Sequence, residues 1–334
     1  MEIIPLSCES LGTRSFAHFV KTNDCNILID PSVSLAPRRY GLLPHPLELS
    51  AAWRSRQLIL ESAKIADVIV QTHYHADHYT MGIERKYEFT DQETFNQIYT
   101  PKKKILAKDI KKNINYRQRR RGYWLWKRKE LDISVADSES FTFGETRILF
   151  SPPVPHGNDI KRGYVIEVLV DDGNKRYIFT SDVSGPTTEE ALNFIIANEP
   201  DIVFLDGPAY YHPHVSKEEV QLAYGNIKKI LELTKELYID HHFLREKDWK
   251  EQLKVNIGEI LPAVSEILKL TPILLESKRK ELHETDPPEE KFYEEFFNSS
   301  VGSQTFCEIL RQYKINKYWN EIERQLQKLK RNKC

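Results

Sequence analysis

The stretch that most restricts how this chain can fold is Gln71-Thr72-His73-Tyr74-His75-Ala76-Asp77-His78. Three histidines and one carboxylate fall within six residues, directly after the apolar run Ile65–Val70. That run reads as a buried strand. Ligands at the carboxyl end of a buried strand are a common site geometry. Imidazole and carboxylate together suit Zn2+, with Mn2+ or Fe as further candidates. In a tight turn, His73 and His75 can face one metal while Asp77 and His78 reach a second. Two metals sharing a water lower its pKa and polarise a scissile oxygen. The chain has 11 histidines in 334 residues, so a cluster of this density is a poor product of chance.

Around this cluster the periodicities predict short strands first: residues 2–7, 15–21 and 26–30. A proline-rich loop follows, with Pro31, Pro37, Pro44 and Pro46, and then a helix over 47–64. Strands are expected again at 146–151, 164–170 and 176–180, the last two joined by a Gly173-Asn174 hairpin. A helix over 188–198, a strand over 201–205, a helix over 216–233 and a strand over 236–240 alternate next. From Arg245 onward the patterns are helical, broken near Pro272 and Pro287-Pro288. Two mixed sheets with helices outside satisfy this order. The expected division is a domain over 1–245 and a helical C-terminal extension over 246–334, accessory to the site.

The pattern His73-x-His75-x-Asp77-His78 resembles the signature of the metallo-β-lactamase superfamily, and the resemblance extends over about residues 1–245. It implies an α/β fold, a four-layer αββα sandwich. It also implies a dinuclear centre with two Zn2+ per chain: His73, His75 and His156 on the first metal, Asp77, His78 and His241 on the second, and Asp182 bridging. Asp77 and Asp182 would serve catalysis. Asp30 would orient a ligand from behind. Asp206, ending a strand, is read either as such a support or as a turn cap, and His242 as the alternate to His241. His156 and Asp182 both follow strand-like runs, with Gly157 and Gly185 allowing tight turns beside them. More narrowly, THYHADH, NINYRQRRRGY, TSDVSGP and IDHHFLRE resemble an archaeal branch of the superfamily with no agreed substrate, so the likeness speaks to fold and metal rather than to the reaction.

Between the second and third motifs the composition shifts. Residues 102–129, read as a basic insertion, hold 13 Lys or Arg against one acid, Asp109, with Tyr116, Tyr123, Trp124 and Trp126 interleaved. Cations with flat aromatic faces suit single-stranded nucleic acid or a small phosphate ester. Arg119, Arg120 and Arg121 are the candidate substrate contacts. The alternative is a packing or solvated face. Superfamily nucleases with a clamp domain carry their insertion between the fourth and fifth motifs. Only 58 residues separate Asp182 from His241 here, which disfavours that class.

The remaining sequence signals are negative. Formal net charge is −1, so nothing about the chain as a whole points to nucleic acid. Cys8, Cys25, Cys307 and Cys334 form no CxxC pair and read as free thiols of a reducing cytoplasm. No apolar run approaches a membrane span, and the N-terminus has no signal-peptide pattern. His18 and His45 read as structural, and His212 and His214 as loop residues. The expected activity is hydrolysis of a phosphodiester or other anionic ester, nucleic acid included. The alternatives are hydrolysis of small neutral esters such as lactones or thioesters, and nucleic-acid binding without turnover. The oligomeric state is not legible.

Overall fold

Local signals set where each element begins and ends in the computed structural model, which describes residues 1–313 together with 320, 323, 324, 327 and 328. The first half comprises β1 (Glu2–Cys8), β2 (Phe16–Lys21), β3 (Asn26–Ile29), α1 (Pro46–Ile65), β4 (Val68–Gln71), α2 (Gln92–Ile98), β5 (Lys104–Ala107), α3 (Tyr116–Trp126) and β6 (Asp132–Val135). The second comprises β7 (Ser140–Phe143), β8 (Thr146–Phe150), β9 (Val154–Pro155), β10 (Tyr164–Val165), β11 (Val168–Asp171), β12 (Arg176–Phe179), α4 (Glu189–Ala197), β13 (Ile202–Leu205), α5 (Lys217–Leu233) and β14 (Glu236–Ile239). Helices α6 (Trp249–Asn256), α7 (Arg279–Thr285), α8 (Glu290–Asn298) and α9 (Gln304–Arg311) follow. The long helix α1 starts where the His45 ring accepts from the Leu47 amide and the Glu48 carboxylate accepts from the His45 amide, with Pro46 in the first turn. Among the described residues no helix is long and apolar enough to cross a membrane.

The strands form two sheets of order β1-β2-β3-β4-β5-β6 and β14-β13-β12-β11-β8-β7, with β9 and β10 paired separately. Each sheet is antiparallel on one side and parallel on the other: β3 to β6 run parallel in the first, β12 to β14 in the second. Side chains alternate between two faces of a strand. On β13, Ile202 and Phe204 join the core between the sheets, while Val203 and Leu205 join a second core with Leu192 and Ile195 of α4 and Val220 and Ile227 of α5. On the other side α1 lies against β1 and β3. The result is the αββα sandwich.

Three features go beyond the sequence reading. The basic stretch 102–129 is no simple insertion, because its Lys104–Ala107 is β5, hydrogen-bonded between β4 and β6. Strands β6 and β7 carry no apolar run, because each is the edge of its sheet and half exposed. The boundary at 245 does not divide the core. Phe292, Phe296, Phe306 and Leu310 share one cluster with Trp53, Phe89 and the first sheet. Arg279, wholly buried, donates to both oxygens of Glu48 at 2.8 Å. Cys8 and Cys25 are buried free thiols and Cys307 is a half-buried one, while Cys334 lies outside the described residues.

Candidate metal centre

The parallel strands of both sheets deliver their carboxyl ends to one place. Asp30 follows β3, residues 72–78 follow β4, Asp182 lies just past β12, Asp206 follows β13, and Asp240, His241 and His242 follow β14. Three of these exits turn on a non-glycine residue in the left-handed region: Asp30 (φ 46°), Ser181 (φ 56°) and His241 (φ 43°). Such strain persists only where surrounding contacts hold it and gathers at functional sites. Gly157 (φ 71°) and Gly185 (φ 103°) turn the chain beside His156 and Asp182.

Asp182, almost fully buried, is the hub, and its two oxygens divide the histidines. His73 Nε2 (3.4 Å), His75 Nδ1 (4.0 Å), His156 Nε2 (3.1 Å) and His242 Nε2 (3.7 Å) surround Oδ2. His78 Nε2 (3.0 Å) and His241 Nε2 (3.5 Å) face Oδ1, with Asp77 Oδ2 3.7 Å from His241 Nε2. Behind the rings stand their supports. Asp30 accepts from His78 Nδ1 at 2.8 Å, from the Thr72 amide at 2.8 Å and from Thr72 Oγ1 at 2.5 Å. Asp206 accepts from His242 Nδ1 at 3.0 Å and from the amides of Ser184 and Gly185. A carboxylate behind a ligand imidazole fixes its tautomer and raises its basicity.

These donors fit a divalent cation. His73 Nε2 and Asp182 Oδ1 are buried with no hydrogen-bond partner, although other donor atoms lie close by. Atoms that crowd together without bonding one another converge on a shared point. Burial pushes the His73 ring down to about 4 and the His242 ring to about 3, and holds His156 and His241 well below the usual histidine range. Neutral imidazoles carry the lone pair a metal needs. Burial also opposes charge on Asp182, but His78 above all outweighs it and holds the carboxyl well below its ordinary range. Among the described residues four groups of three donors meet the spacing of a metal site: Asp30, His73 and His78; His73, His75 and Asp182; Asp77, His78 and His241; His156, Asp182 and His242.

A family model described as the beta-lactamase superfamily domain matches residues 25–239. Over 305 residues the chain is 40% identical to a UPF0282 protein of Korarchaeum cryptofilum, covering 87% of this chain and 97% of the relative. A UPF0282 protein of Pyrococcus abyssi is 40% identical over 295 residues, covering 87% and 95%. The chain belongs to the UPF0282 family, within the metallo-β-lactamase superfamily. Among solved structures it is similar to a possible metal-dependent hydrolase of Veillonella parvula (13% identity, TM-score 0.46, 78% of this chain and 94% of that one). It is also similar to Zn2+-bound PqqB of Methylobacterium extorquens (9% identity, TM-score 0.46, 79% and 98%).

In this UPF0282 chain the basic helix α3 packs on the metal loop itself. Trp126 Nε1 donates to the Tyr74 hydroxyl at 2.6 Å, Arg121 Nη1 donates to the Tyr74 carbonyl at 3.2 Å, and the Gln118 amide meets His75 Nε2 at 3.2 Å. A Cβ on Gly122 would stand 2.7 Å from Ile110 and 2.9 Å from the Tyr74 ring, so only glycine permits this approach. The tryptophan thus anchors the segment to the core. The helical period splits the three arginines that the sequence groups together. Arg121 lines the pocket over the metal loop with Arg117, one turn earlier, whereas the exposed Arg119 donates to the carbonyls of Ile110 and Lys111 and Arg120 points outward. Arg119 and Arg120 are therefore set apart from the site.

Sequence reasoning missed Gln118 and Arg245. Buried Arg245 donates through Nε to Glu9 at 2.6 Å, and its Nη2 lies 3.5 Å from Asp77 Oδ2 and 3.2 Å from His241 Nε2. The signal for Arg245 was its place four residues after His241, one helical turn on. For Gln118 it was a neutral residue inside a cationic run. His212 and His214 lie at the pocket wall.

Proposed function

We propose that this chain is a metal-dependent hydrolase of small anionic esters, phosphoesters foremost, working with two divalent cations, Zn2+ or else Mn2+ or Fe. One observation carries the reading. A pocket of about 600 Å3 opens over His75, His156 and His242, and six cations line it (Arg14, Arg117, Arg121, Lys161, Arg162 and Arg245) against one carboxylate, Asp159. Arg117, Arg121 and Lys161 have no carboxylate partner among the described residues, so their charge is available to a ligand. A wall of this sign suits an anion and disfavours lactones and other neutral esters. When bound, the two cations supply an acidified water and polarise the ester oxygen. His73, His75, His156, Asp182 and His242 are the residues to hold one, and Asp77, His78 and His241 the other, with Asp182 between them. Arg117 and Arg121 orient the substrate's anionic group, since a guanidinium meets phosphate or carboxylate with two parallel donors.

The outer face of α3 supports a second reading for a longer substrate. Tyr116 and Tyr123 are 75% and 58% exposed and share that face with Arg119 and Arg120, a pairing of stacking surface and charge suited to single-stranded nucleic acid. One set of assays separates the readings. Zinc- and manganese-loaded protein is tested against phosphomonoesters, phosphodiesters, single-stranded RNA and DNA, lactones and thioesters. We expect turnover of a small phosphoester, with Arg121→Ala raising KM about tenfold, the loss of roughly one charged hydrogen bond. We expect Arg119→Ala/Arg120→Ala to leave KM unchanged. Turnover confined to lactones or thioesters would overturn the anionic reading. Oligonucleotide binding that weakens in the Arg119/Arg120 variant would favour the polymer.

A further inference from the structure

The division of histidines between the two oxygens of Asp182 has a chemical consequence. On the Oδ2 side stand His73, His75, His156 and His242. On the Oδ1 side stand His78, His241 and, beside them, Asp77. The second group shares its space with a cation. Arg245 Nη2 is 3.2 Å from His241 Nε2 and 3.5 Å from Asp77 Oδ2, and both atoms are donors for a metal there. The guanidinium cannot leave freely. Its Nε is pinned by Glu9, it is 6% exposed, and Tyr211 Oη lies 3.5 Å from Nη1.

We infer that the two cation sites are unequal: a strong one made by His73, His75, His156, His242 and Asp182, and a weak one made by Asp77, His78 and His241 against the Arg245 guanidinium. Two independent features lead there. His242 brings an additional imidazole to the first site, braced by Asp206 at 3.0 Å as a ligand ring is braced. Arg245 sets a positive charge beside the second, where poor solvation leaves the repulsion of a divalent ion little screened.

The inference rests on the proposed divalent-cation centre, and a metal titration distinguishes the failure of each. Metal-stripped full-length protein is titrated with Zn2+ against a chromophoric chelator, and bound zinc is counted by elemental analysis after dialysis. The expected result is one zinc retained and a second with an affinity at least about 100-fold lower, the upper range over which outer groups act on a metal. The double variant Glu9→Gln/Arg245→Met, which removes the Glu9 charge together with its partner and frees Asp77 for the metal, should tighten the second constant about 10- to 100-fold and spare the first. Arg245→Lys retains the charge and should stay near the parent. His242→Gln should weaken the first constant alone. Two equal constants in the parent protein, which need no variant to fold, overturn the inference and leave the metal centre standing. So does an unchanged ratio in the folded double variant. Failure to bind any zinc overturns both.

Discussion

His18 lies in the core between the sheets with neither ring nitrogen partnered, its ring centroid 4.8 Å from Phe16, 5.1 Å from Phe179 and 5.0 Å from Phe204. Burial, aided by His78, pushes its pKa down to about 3. The unfolded chain holds this proton up to a pKa of about 6.5 and the folded chain does not. The unfolded state therefore binds the extra proton between those values. Stability is full above the unfolded pKa and falls as pH drops, by about 1.4 kcal/mol per unit from this residue alone. His18→Leu, close in volume, should flatten that slope. Urea midpoints of parent and variant between about pH 7 and pH 4 should diverge from neutral to acid, and parallel slopes would show that the ring titrates normally. His18 reads as structural in the sequence, within the strand expected over 15–21. The metal loop was legible because its donors adjoin in sequence and announce themselves by type. Asp182 and His156 needed the family's order of motifs. Gln118 and Arg245 left only faint signals, because the contacts that define them run across space, 43 residues to His75 in one case and 236 to Glu9 in the other.

At the scale of elements, α3 shows how a composition signal and a packing signal come to overlap in one stretch. The Lys and Arg of residues 102–129 divide between sheet, loop and helix. Lys108 is wholly buried in a pair with Asp137 at 2.6 Å, Lys104 pairs with Asp132 at 2.7 Å, and Arg117 and Arg121 face the pocket. Charge density alone could not reveal that division, since it is set by a register that only the folded backbone fixes. What seats the helix is the missing side chain of Gly122. An added Cβ must push against Ile110 and the Tyr74 ring, and Tyr74 lies between His73 and His75. Gly122→Ala is favourable by helix propensity, worth about 1 kcal/mol in the variant's favour. Its overpacking of a tight contact costs about 1–3 kcal/mol. The clash should win, lowering the melting temperature and shifting the ligand loop, so that zinc affinity falls together with stability. A variant more stable than the parent with unchanged zinc affinity would mean that α3 is free to move off the loop.

For the molecule as a whole, the question is whether the residues after 245 fold as part of the sandwich or as an appendage. Two mixed sheets with helices outside were legible from strand and helix periodicity, and the four-layer sandwich from the resemblance of the motifs. The place of the C-terminal helices was not, because an amphipathic helix shows which face it buries without showing against what. The decisive contact is the pair of Arg279 with Glu48, which joins α7 to the first turn of α1 and is sealed from water on both sides. Glu48 also accepts from the His45 amide at the helix cap, so one carboxylate serves the start of α1 and the anchoring of α7. Arg279→Met should leave that carboxylate buried and unpaired, at a cost of about 3–5 kcal/mol, while adding Glu48→Leu should recover part of the loss. The recovery stays partial because the His45 amide then lacks its acceptor. Neither residue touches the donors around Asp182, so folded Arg279→Met should retain the parental zinc content. Because Phe292, Phe296 and Phe306 lie in the same core as Trp53 and the first sheet, the loss should shift one cooperative urea transition. If only an early, separate transition moves while the metal-bearing part unfolds at the parental midpoint, the helices after 245 are a unit of their own and the shared core does not act as one.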